Sequence, residues 1–161
     1  MSHKVVHIFL IILLTALVGC SKATEEVTDN NPNGDGNNYY DNSELGISIE
    51  AETGWVLEKE TSQTVKFTRD NIIGLISVIP KEKTVSEIKK ELLSGAGEVT
   101  VVGEGLNFIA WKTELEESIR TQIWIEEKSD RQIIVTMMTP DEMFEGNRET
   151  IEDFREMIEI Y

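Results

Sequence analysis

The sequence predicts an α+β domain of about six to seven strands and two helices, spanning residues 44–161. Seven short segments alternate apolar and polar residues or are rich in β-branched residues, which is typical of strands. Two further segments repeat apolar residues every three to four positions and carry helix-start signals, which is typical of amphipathic helices. The order along the chain is three strands, one helix, four strands and a final helix.

Three predicted strands precede the first helix. ELGISIEAETGW alternates Ile47, Ile49 and Ala51 with polar residues, and we expect it to turn at Gly54 into an opening hairpin with Trp55. TVKFT places its valine and its phenylalanine on one face. IIGLISVIP is a dense apolar run, which is typical of a central strand covered on both faces.

The first predicted helix lies in TVSEIKKELLSG. Thr84 and Glu87 have the spacing of a capping box, in which each side chain accepts a hydrogen bond from the main chain of the other residue. Ile88 and Leu92 are four positions apart and therefore share one helix face. Gly95 suits the C-cap, because glycine readily adopts the left-handed conformation that commonly ends a helix.

Four strand segments and a C-terminal helix follow. The strands are EVTVVG, LNFIAWKTEL, IRTQIWIEEK and RQIIVTMMT, and the KSD linker between the last two predicts a tight hairpin. The helix is expected to start at Thr139 with Pro140 at its first position, and Gly146 is a point at which it could divide into two. The residues that can line its apolar face are Phe144, Ile151, Phe154, Ile158 and Tyr161.

The first twenty residues have the layout of a secretory signal. MSHKVVHIFLIILLTALVGC has a short polar start and an apolar run of about 14 residues, fewer than the roughly 20 that span a bilayer. The run closes on Leu17-Val18-Gly19-Cys20, which resembles the lipobox of bacterial lipoproteins. An uncleaved N-terminal anchor helix with an incidental cysteine is the alternative interpretation.

The lipobox resemblance implies how and where the protein is attached. In lipoproteins the cysteine thiol receives a diacylglycerol and the signal is cleaved before it, which here places the cleavage between Gly19 and Cys20. Residues 1–19 are then the signal peptide and Cys20 is the lipidated N-terminus, with acyl chains such as palmitate in the bilayer. The resemblance thus implies a lipid anchor on the extracytoplasmic face of the bacterial cell membrane.

Residues 20–43 predict a flexible tether between anchor and domain. The segment is rich in Asn, Asp, Thr and Gly and cannot bury enough apolar surface to order itself. DNNPNGDGNNYYDN begins like a calcium-binding EF-hand loop at Asp29, but position 12 should be a bidentate Glu and is Tyr40. We therefore predict no metal site, and at most weak cation contacts at Asp29, Asp35 and Asp41.

Charge and residue usage exclude several classes of function. The formal net charge is −15, which repels the phosphates of nucleic acids, so we expect no nucleic-acid partner. His3, His7 and Cys20 are the only histidines and cysteine in the sequence. Cleavage before Cys20 leaves a chain without histidine, which removes Ser-His-Asp and Cys-His catalysis and the usual zinc sites. We expect no cofactor and no catalytic residues.

The order of the elements resembles that of the PsbP-like and Mog-like α/β/α sandwiches. The resemblance includes the GISIEAETGW opening and the C-terminal amphipathic helix, and it covers nearly all of residues 44–161. It implies an antiparallel central sheet with helices on its faces. These proteins mostly act as binding or accessory modules, and the family offers no catalytic motif to transfer to this chain.

Two tryptophans are the candidate partner surface. Trp111 and Trp124 lie in predicted strands, and Trp124 alternates out of phase with Ile119, Ile123 and Ile125. Trp124 could therefore face a helix or solvent, and both tryptophans could contribute to a surface for a ligand or a protein partner. Packing in the core or under a helix is the alternative interpretation.

Acidic residues at two predicted strand ends form a second candidate site. Glu114, Glu116 and Glu117 precede a strand that ends in Glu126 and Glu127, and a hairpin could bring two of these carboxylates together. Paired carboxylates can serve in acid–base catalysis or hold a hard cation. A solvated strand edge that discourages aggregation is the alternative interpretation.

The sequence favours a binding or accessory module over the other classes of function. A lipid anchor, a tether and a single globular domain suit a protein that acts on another envelope protein. Two alternatives stay open, namely a receptor domain for a small molecule or ion and a cell-wall hydrolase that relies on carboxylates alone. The hydrolase requires two acids that face each other across a cleft.

Overall fold

The computed structural model describes residues 38–50 and 54–161, which form strands, two α-helices and one 3₁₀ turn. The helices are α1 (Val85–Gly95) and α2 (Phe144–Glu156), and the 3₁₀ turn, Asp141–Met143, directly precedes α2. The strands are β1 (Asn38–Asn42), β2 (Ile47–Glu50), β3 (Val56–Glu60), β4 (Thr64–Arg69), β5 (Ile72–Pro80), β6 (Val99–Glu104), β7 (Phe108–Thr113), β8 (Ile119–Glu127), β9 (Arg131–Pro140) and β10 (Ile158–Ile160).

Seven of these strands form one antiparallel sheet in the order β3-β4-β5-β9-β8-β7-β6. β5 lies inside the sheet between β4 and β9, as its dense apolar sequence predicts. The predicted KSD hairpin joins β8 to β9, and the N–H of Lys128 donates to the carbonyl of Arg131 at 2.9 Å. The predicted fold class, an antiparallel sheet covered by two helices, is confirmed.

The alternation of side chains along the strands divides the core into two clusters. On one side of the large sheet, which we call the α2 face, Phe67 and Val135 pack in one cluster with Phe154 of α2. On the other side, the α1 face, Ile134 packs in one cluster with Ile88 of α1. Ile134 and Val135 are consecutive in β9 and therefore point to opposite faces of the sheet.

A second sheet of three strands, in the order β1-β2-β10, packs into the same cluster as α2. β1 contains Tyr40, whose side chain is 7% exposed and whose ring meets that of Phe67 edge to face at 5.5 Å. The predicted boundary between residues 43 and 44 is therefore wrong, because residues assigned to the tether form a strand of the domain. The ring of Tyr40 provides the apolar burial that the surrounding Asn and Asp residues lack.

The predicted opening hairpin between ELGISIE and Trp55 is not formed. β2 pairs with β1 and β10 in the small sheet, whereas β3 pairs with β4 in the large sheet. Ile47 and Ile49 of β2 are both fully buried, because this strand has a partner on each side and lies against the core. Ala51 lies outside the described residues.

α1 begins as predicted and ends differently. The hydroxyl of Thr84 accepts a hydrogen bond from the N–H of Glu87, and the carboxylate of Glu87 accepts one from the N–H of Thr84 at 2.8 Å. This completes the capping box. Gly95 is the last helical residue rather than the cap, which is Ala96, and the left-handed glycine that follows is Gly97, with φ of +79°.

The C-terminal segment is not the single long helix that the sequence predicts. Pro140 belongs to β9, where it pairs with Ile119 of β8, and α2 begins only at Phe144. Gly146 lies within α2 and does not divide it. After the helix ends, Ile158–Ile160 forms β10 and pairs with β2, because the alternation of Ile158 and Ile160 serves a strand as well as a helix.

Candidate binding groove beside helix α2

Trp124 lies on the α2 face of β8 and is half-buried. The register of the sheet places it between Phe108 of β7 and Val135 of β9. Its ring centroid is 5.3 Å from that of Phe108. The guanidinium carbon of Arg155, in α2, lies 5.4 Å from the centroid of Trp124. The indole is therefore held between a ring of the sheet and a cation of the helix.

A groove of about 300 Å³ runs beside Trp124, between the large sheet and α2. α2 directs Ile151 and Phe154 into the core cluster and leaves a gap toward β7, the strand next to the sheet edge. We call this gap the α2 groove. Its lining residues are Phe108, Gln122, Trp124, Glu152, Arg155 and Glu156.

The α2 groove combines an aromatic floor with charged groups at its rim. Trp124 and Phe108 offer ring surface, whereas Glu152, Arg155 and Glu156 are exposed on α2. Trp and Arg are enriched at the energetic centres of protein interfaces. A guanidinium near an indole also makes a favourable cation–π contact. The groove therefore suits an apolar side chain of a partner whose neighbouring residues are polar.

An ion-pair cluster continues along the same face of β8. The Nε of Arg120 donates to Asp141 at 2.7 Å, and its guanidinium carbon lies 4.7 Å from the ring centroid of Phe144. Lys112, which pairs with Arg120 in the register, has its Nζ 3.8 Å from the same carboxylate. These contacts fix the 3₁₀ turn against the sheet. These contacts were not predicted from the sequence, although the alternation of β8 puts Arg120 on the same face as Trp124.

Trp111 does not share a surface with Trp124. It is 6% exposed and packs in the core cluster of α1 together with Ile88 and Ile123. In β7, Trp111 is three residues from Phe108, and an odd separation places the two side chains on opposite faces of the sheet. The expectation that both tryptophans contribute to one partner surface is therefore wrong, and Trp124 alone lines the groove.

Among the predicted cation contacts, Asp41 lies in β1 and accepts a hydrogen bond of 2.6 Å from the hydroxyl of Tyr161. This hydrogen bond raises the pKa of Tyr161 above its ordinary value. Asp29 and Asp35 lie outside the described residues, as do Gly19 and Cys20 of the predicted cleavage site. Within residues 38–50 and 54–161, no three His, Cys, Asp or Glu side chains are grouped so that they could hold a metal ion.

The acidic strand ends do not meet. β7 and β8 pair antiparallel, with Lys112 opposite Arg120 and Phe108 opposite Trp124. The loop that carries Glu114 therefore lies at one end of β8, and Glu126 lies at the other, about 20–25 Å away at the usual rise of a strand. The expectation that a hairpin brings these carboxylates together is wrong.

A second cavity, of about 490 Å³, lies at the N-terminal end of α1. Its lining includes Lys81, Glu127 and Leu106, and the Nζ of Lys81 is 3.6 Å from the carboxylate of Glu127. Hydrogen bonds from the N–H and hydroxyl of Thr84 hold the pKa of Glu87, which also lines the cavity, below its ordinary value. Charges of both signs therefore compensate each other around this cavity.

None of the described helices is long and apolar enough to cross a membrane.

The architecture belongs to a recognisable class of α+β fold, the PsbP-like and Mog1-like antiparallel sheet with two helices. The chain is similar to cyanobacterial PsbP (CyanoP) from Synechocystis sp. PCC 6803, with 12% identity, coverage of 91% of this chain and 99% of that chain, and a TM-score of 0.50. It is also similar to a mutant of protein Mog1, with 5% identity, coverage of 71% and 90%, and a TM-score of 0.50.

A protein from Bacteroides thetaiotaomicron VPI-5482 shares 12% identity over 78% of this chain, with a TM-score of 0.46, and the match spans 48% of that protein's length. No protein-family model and no curated protein matches the chain. At these identities the likeness shows the fold alone.

Proposed function

We propose that this chain is a non-catalytic binding module of the bacterial cell envelope, which holds a partner protein in the α2 groove. The observation that carries the proposal is the half-buried Trp124 at the floor of the groove, between Phe108 and Arg155. A tryptophan with part of its ring in a groove and an arginine beside it has the composition of an interface hot spot. An apolar side chain of the partner displaces water from both rings, and its polar neighbours meet Glu152 and Glu156 at the rim.

The proposal includes attachment to the outer side of the membrane through Cys20. The support is the lipobox-like Leu17-Val18-Gly19-Cys20 after an apolar run. A lipid anchor confines the module to a layer near the membrane and raises its effective concentration toward an envelope partner. The net charge of −15 disfavours direct contact with anionic headgroups, so the domain works on a protein and not on the lipid surface.

Site-specific photo-crosslinking of the full chain in cells tests the groove. A photoreactive amino acid replaces either Glu152, at the rim, or Lys90, which is exposed on α1 and serves as the control. We expect one dominant crosslinked protein from position 152 and none from position 90. Equal crosslinking from both positions contradicts the use of the groove.

A pair of matched arginine variants sharpens this experiment. Arg155→Ala removes the cation beside Trp124 and should weaken the crosslink from position 152 several-fold. Arg148→Ala removes an exposed arginine from the same helix, outside the groove lining, and should leave the crosslink unchanged. A crosslink that is indifferent to Arg155→Ala counts against the proposal.

The second candidate function, a receptor for a small molecule or ion, is favoured by the cavity at the start of α1. Its volume of about 490 Å³ falls within the range of ligand pockets. A thermal-shift screen of ions and metabolites tests it, since a ligand at 100 times its Kd stabilises the fold by about 2.7 kcal/mol. A hit that is abolished by Lys81→Ala and retained by Arg155→Ala would assign the ligand to this cavity.

A further inference from the structure

The two edges of the large sheet are built differently. The β3 edge carries Glu58, Lys59 and Glu60, and charged residues discourage the addition of another strand. The hydroxyl of Tyr39 also occupies main-chain groups there, since it accepts from the N–H of Leu57 at 3.0 Å and donates to the carbonyl of Trp55 at 2.8 Å. The β3 edge is therefore protected against the addition of a strand both by charged side chains and by the hydroxyl of Tyr39.

The β6 edge is protected only at its ends, where Glu98 and Glu104 are exposed and the Nζ of Lys89 donates to the carbonyl of Gly105 at 2.8 Å. Residues 99–103 read VTVVG and contain no charge and no proline. Val101 and Val102 are 45% and 40% exposed, and β7 is the one strand of the described chain that pairs with β6. Both edges contain a bulge, at Glu58 and at Val102, so the bulge does not distinguish them. An uncharged apolar edge with free main-chain groups is a template for a further strand.

We propose that β6 binds an extended segment of another protein, which adds to the sheet as a strand and carries Lys or Arg on both sides of an apolar centre. The apolar edge lies between two exposed carboxylates, Glu98 and Glu104. A basic residue at either end of the added strand meets one of them, whichever direction the strand runs. Glu104 is already 2.8 Å from Lys89, so Glu98 is the stronger determinant of the preference for basic residues.

A second copy of this chain does not fit the same edge. In the antiparallel two-fold pairing with the longest overlap, centred on Val101, Glu98 of each copy lies opposite Glu104 of the other. This pairing brings four carboxylates into one short interface, of which only the two Glu104 carboxylates have Lys89 beside them, and each copy carries a net charge of −15. Like charges opposite each other destabilise paired strands. The charges therefore select a basic partner strand over a dimer.

This inference concerns a different surface from the α2 groove and does not rest on the proposed function. The probe is a blocked peptide, Lys-Thr-Val-Thr-Val-Thr-Lys, titrated into the ¹⁵N-labelled full chain in detergent micelles. We expect the largest amide shifts at residues 99–103 of β6. The same peptide with alternate N-methyl groups lacks the main-chain donors that pair strands and should not bind.

Charge reversal tests the preference for basic flanks. Glu98→Lys should weaken binding of the Lys-flanked peptide about three- to five-fold, which is the effect of one exposed ion pair. The same variant should strengthen binding of a Glu-flanked peptide by a similar factor. Lys59→Glu, at the β3 edge, is the matched control and should change neither titration. Arg155→Ala should also leave both unchanged, which separates this site from the groove.

Three results would overturn the proposal. Amide shifts at β3, or none at β6 with the peptide in millimolar excess, would show that β6 is not a template. Equal binding of Lys-flanked and Glu-flanked peptides would show that charge does not select the partner. A dimer that forms through β6 without peptide, detected by sedimentation and by concentration-dependent shifts of residues 99–103, would assign the edge to a second copy.

Discussion

The hydroxyl of Tyr40 donates a hydrogen bond of 2.8 Å to the carboxylate of Glu60 and thereby joins the two sheets. Tyr40 belongs to β1 of the small sheet, and Glu60 ends β3 at the edge of the large sheet. The ring of Tyr40 is buried against Phe67, whereas the carboxylate is exposed and also accepts from the amide of Asn42. The ring of Tyr40 thus anchors β1 to the core, and its hydroxyl orients β1 relative to β3.

Tyr40→Phe keeps the buried ring and removes the hydrogen bond to Glu60. We expect the free energy of unfolding to fall by about 1 kcal/mol, the usual contribution of a partly exposed hydrogen bond. Glu60→Ala, which removes the acceptor, should cost less in the Tyr40→Phe background than in the wild type, because the interaction is then already lost. Urea denaturation of the four chains measures the coupling. Strictly additive effects would show that the hydrogen bond contributes nothing to stability.

Alkaline pH should weaken the fold through the same tyrosine. Burial of the ring and the hydrogen bond to Glu60 raise the pKa of Tyr40 above its ordinary value of 10.0. The folded state keeps this proton at a pH where the unfolded chain loses it, so the free energy of unfolding is unaffected below pH 10 and falls as the pH rises further.

The measurement is a series of urea denaturations between about pH 9 and 11.5. Tyr40→Phe should flatten the decline in stability. Tyr161 makes a second contribution of the same sign, because its hydrogen bond to Asp41 raises its pKa, so the double variant Tyr40→Phe/Tyr161→Phe should flatten the decline further. If Tyr40→Phe loses stability as steeply as the wild type, the decline comes from other groups.

The strands and helix whose sequences carry a complete local pattern were predictable. β5 has a dense apolar run, and α1 has a capping box followed by apolar residues on one face. β1 has no such pattern, because NYYDN is a strand only while Tyr40 packs on Phe67. β10 is ambiguous, since Ile158 can extend the stripe of α2 or alternate with Ile160. The hydrogen bond from the N–H of Tyr161 to the carbonyl of Gly46 favours the strand.

The candidate groove was predictable only in part. The alternation of β8 places Trp124 opposite the isoleucine stripe, which the sequence shows directly. Its neighbours Phe108 and Arg155 come from β7 and α2, and their approach depends on the register of the sheet and on where α2 begins. The burial of Trp111 was not predictable from its own strand, because its local pattern resembles that of Trp124. Trp111 is buried because α1 packs on its side of the sheet.

Cys20→Ala should abolish both lipidation and cleavage before residue 20. If the thiol of Cys20 carries the lipid, the variant is neither lipidated nor cleaved before residue 20, and it accumulates as a longer chain in the soluble or unprocessed fraction. Cell fractionation followed by mass spectrometry of the N-terminus measures both effects. Ser21→Ala, one residue further on, should be processed and retained normally. Normal processing and retention of Cys20→Ala would refute the lipoprotein assignment.

Gly74 is the point at which β5 makes room for the core beneath α2. It pairs with Phe67 and Met137 in the neighbouring strands. A Cβ atom at this position would lie 3.1 Å from Cε1 of Phe154 and 3.3 Å from the sulfur of Met137. Phe154 is fully buried and its ring is 4.1 Å from that of Trp55, so the ring cannot move aside freely.

Gly74→Ala and Gly146→Ala should therefore change stability in opposite directions. The first adds a methyl group to a filled core, and we expect a loss of about 1–3 kcal/mol in the free energy of unfolding. The second adds one to α2 where no atom lies within 4 Å, and the higher helix propensity of alanine should add about 0.5–1 kcal/mol. Urea denaturation of both variants beside the wild type measures the two signs. If Gly74→Ala is as stable as the wild type, the side chain of Met137, which is flexible and supplies the other two atoms nearest this position, yields to the methyl group.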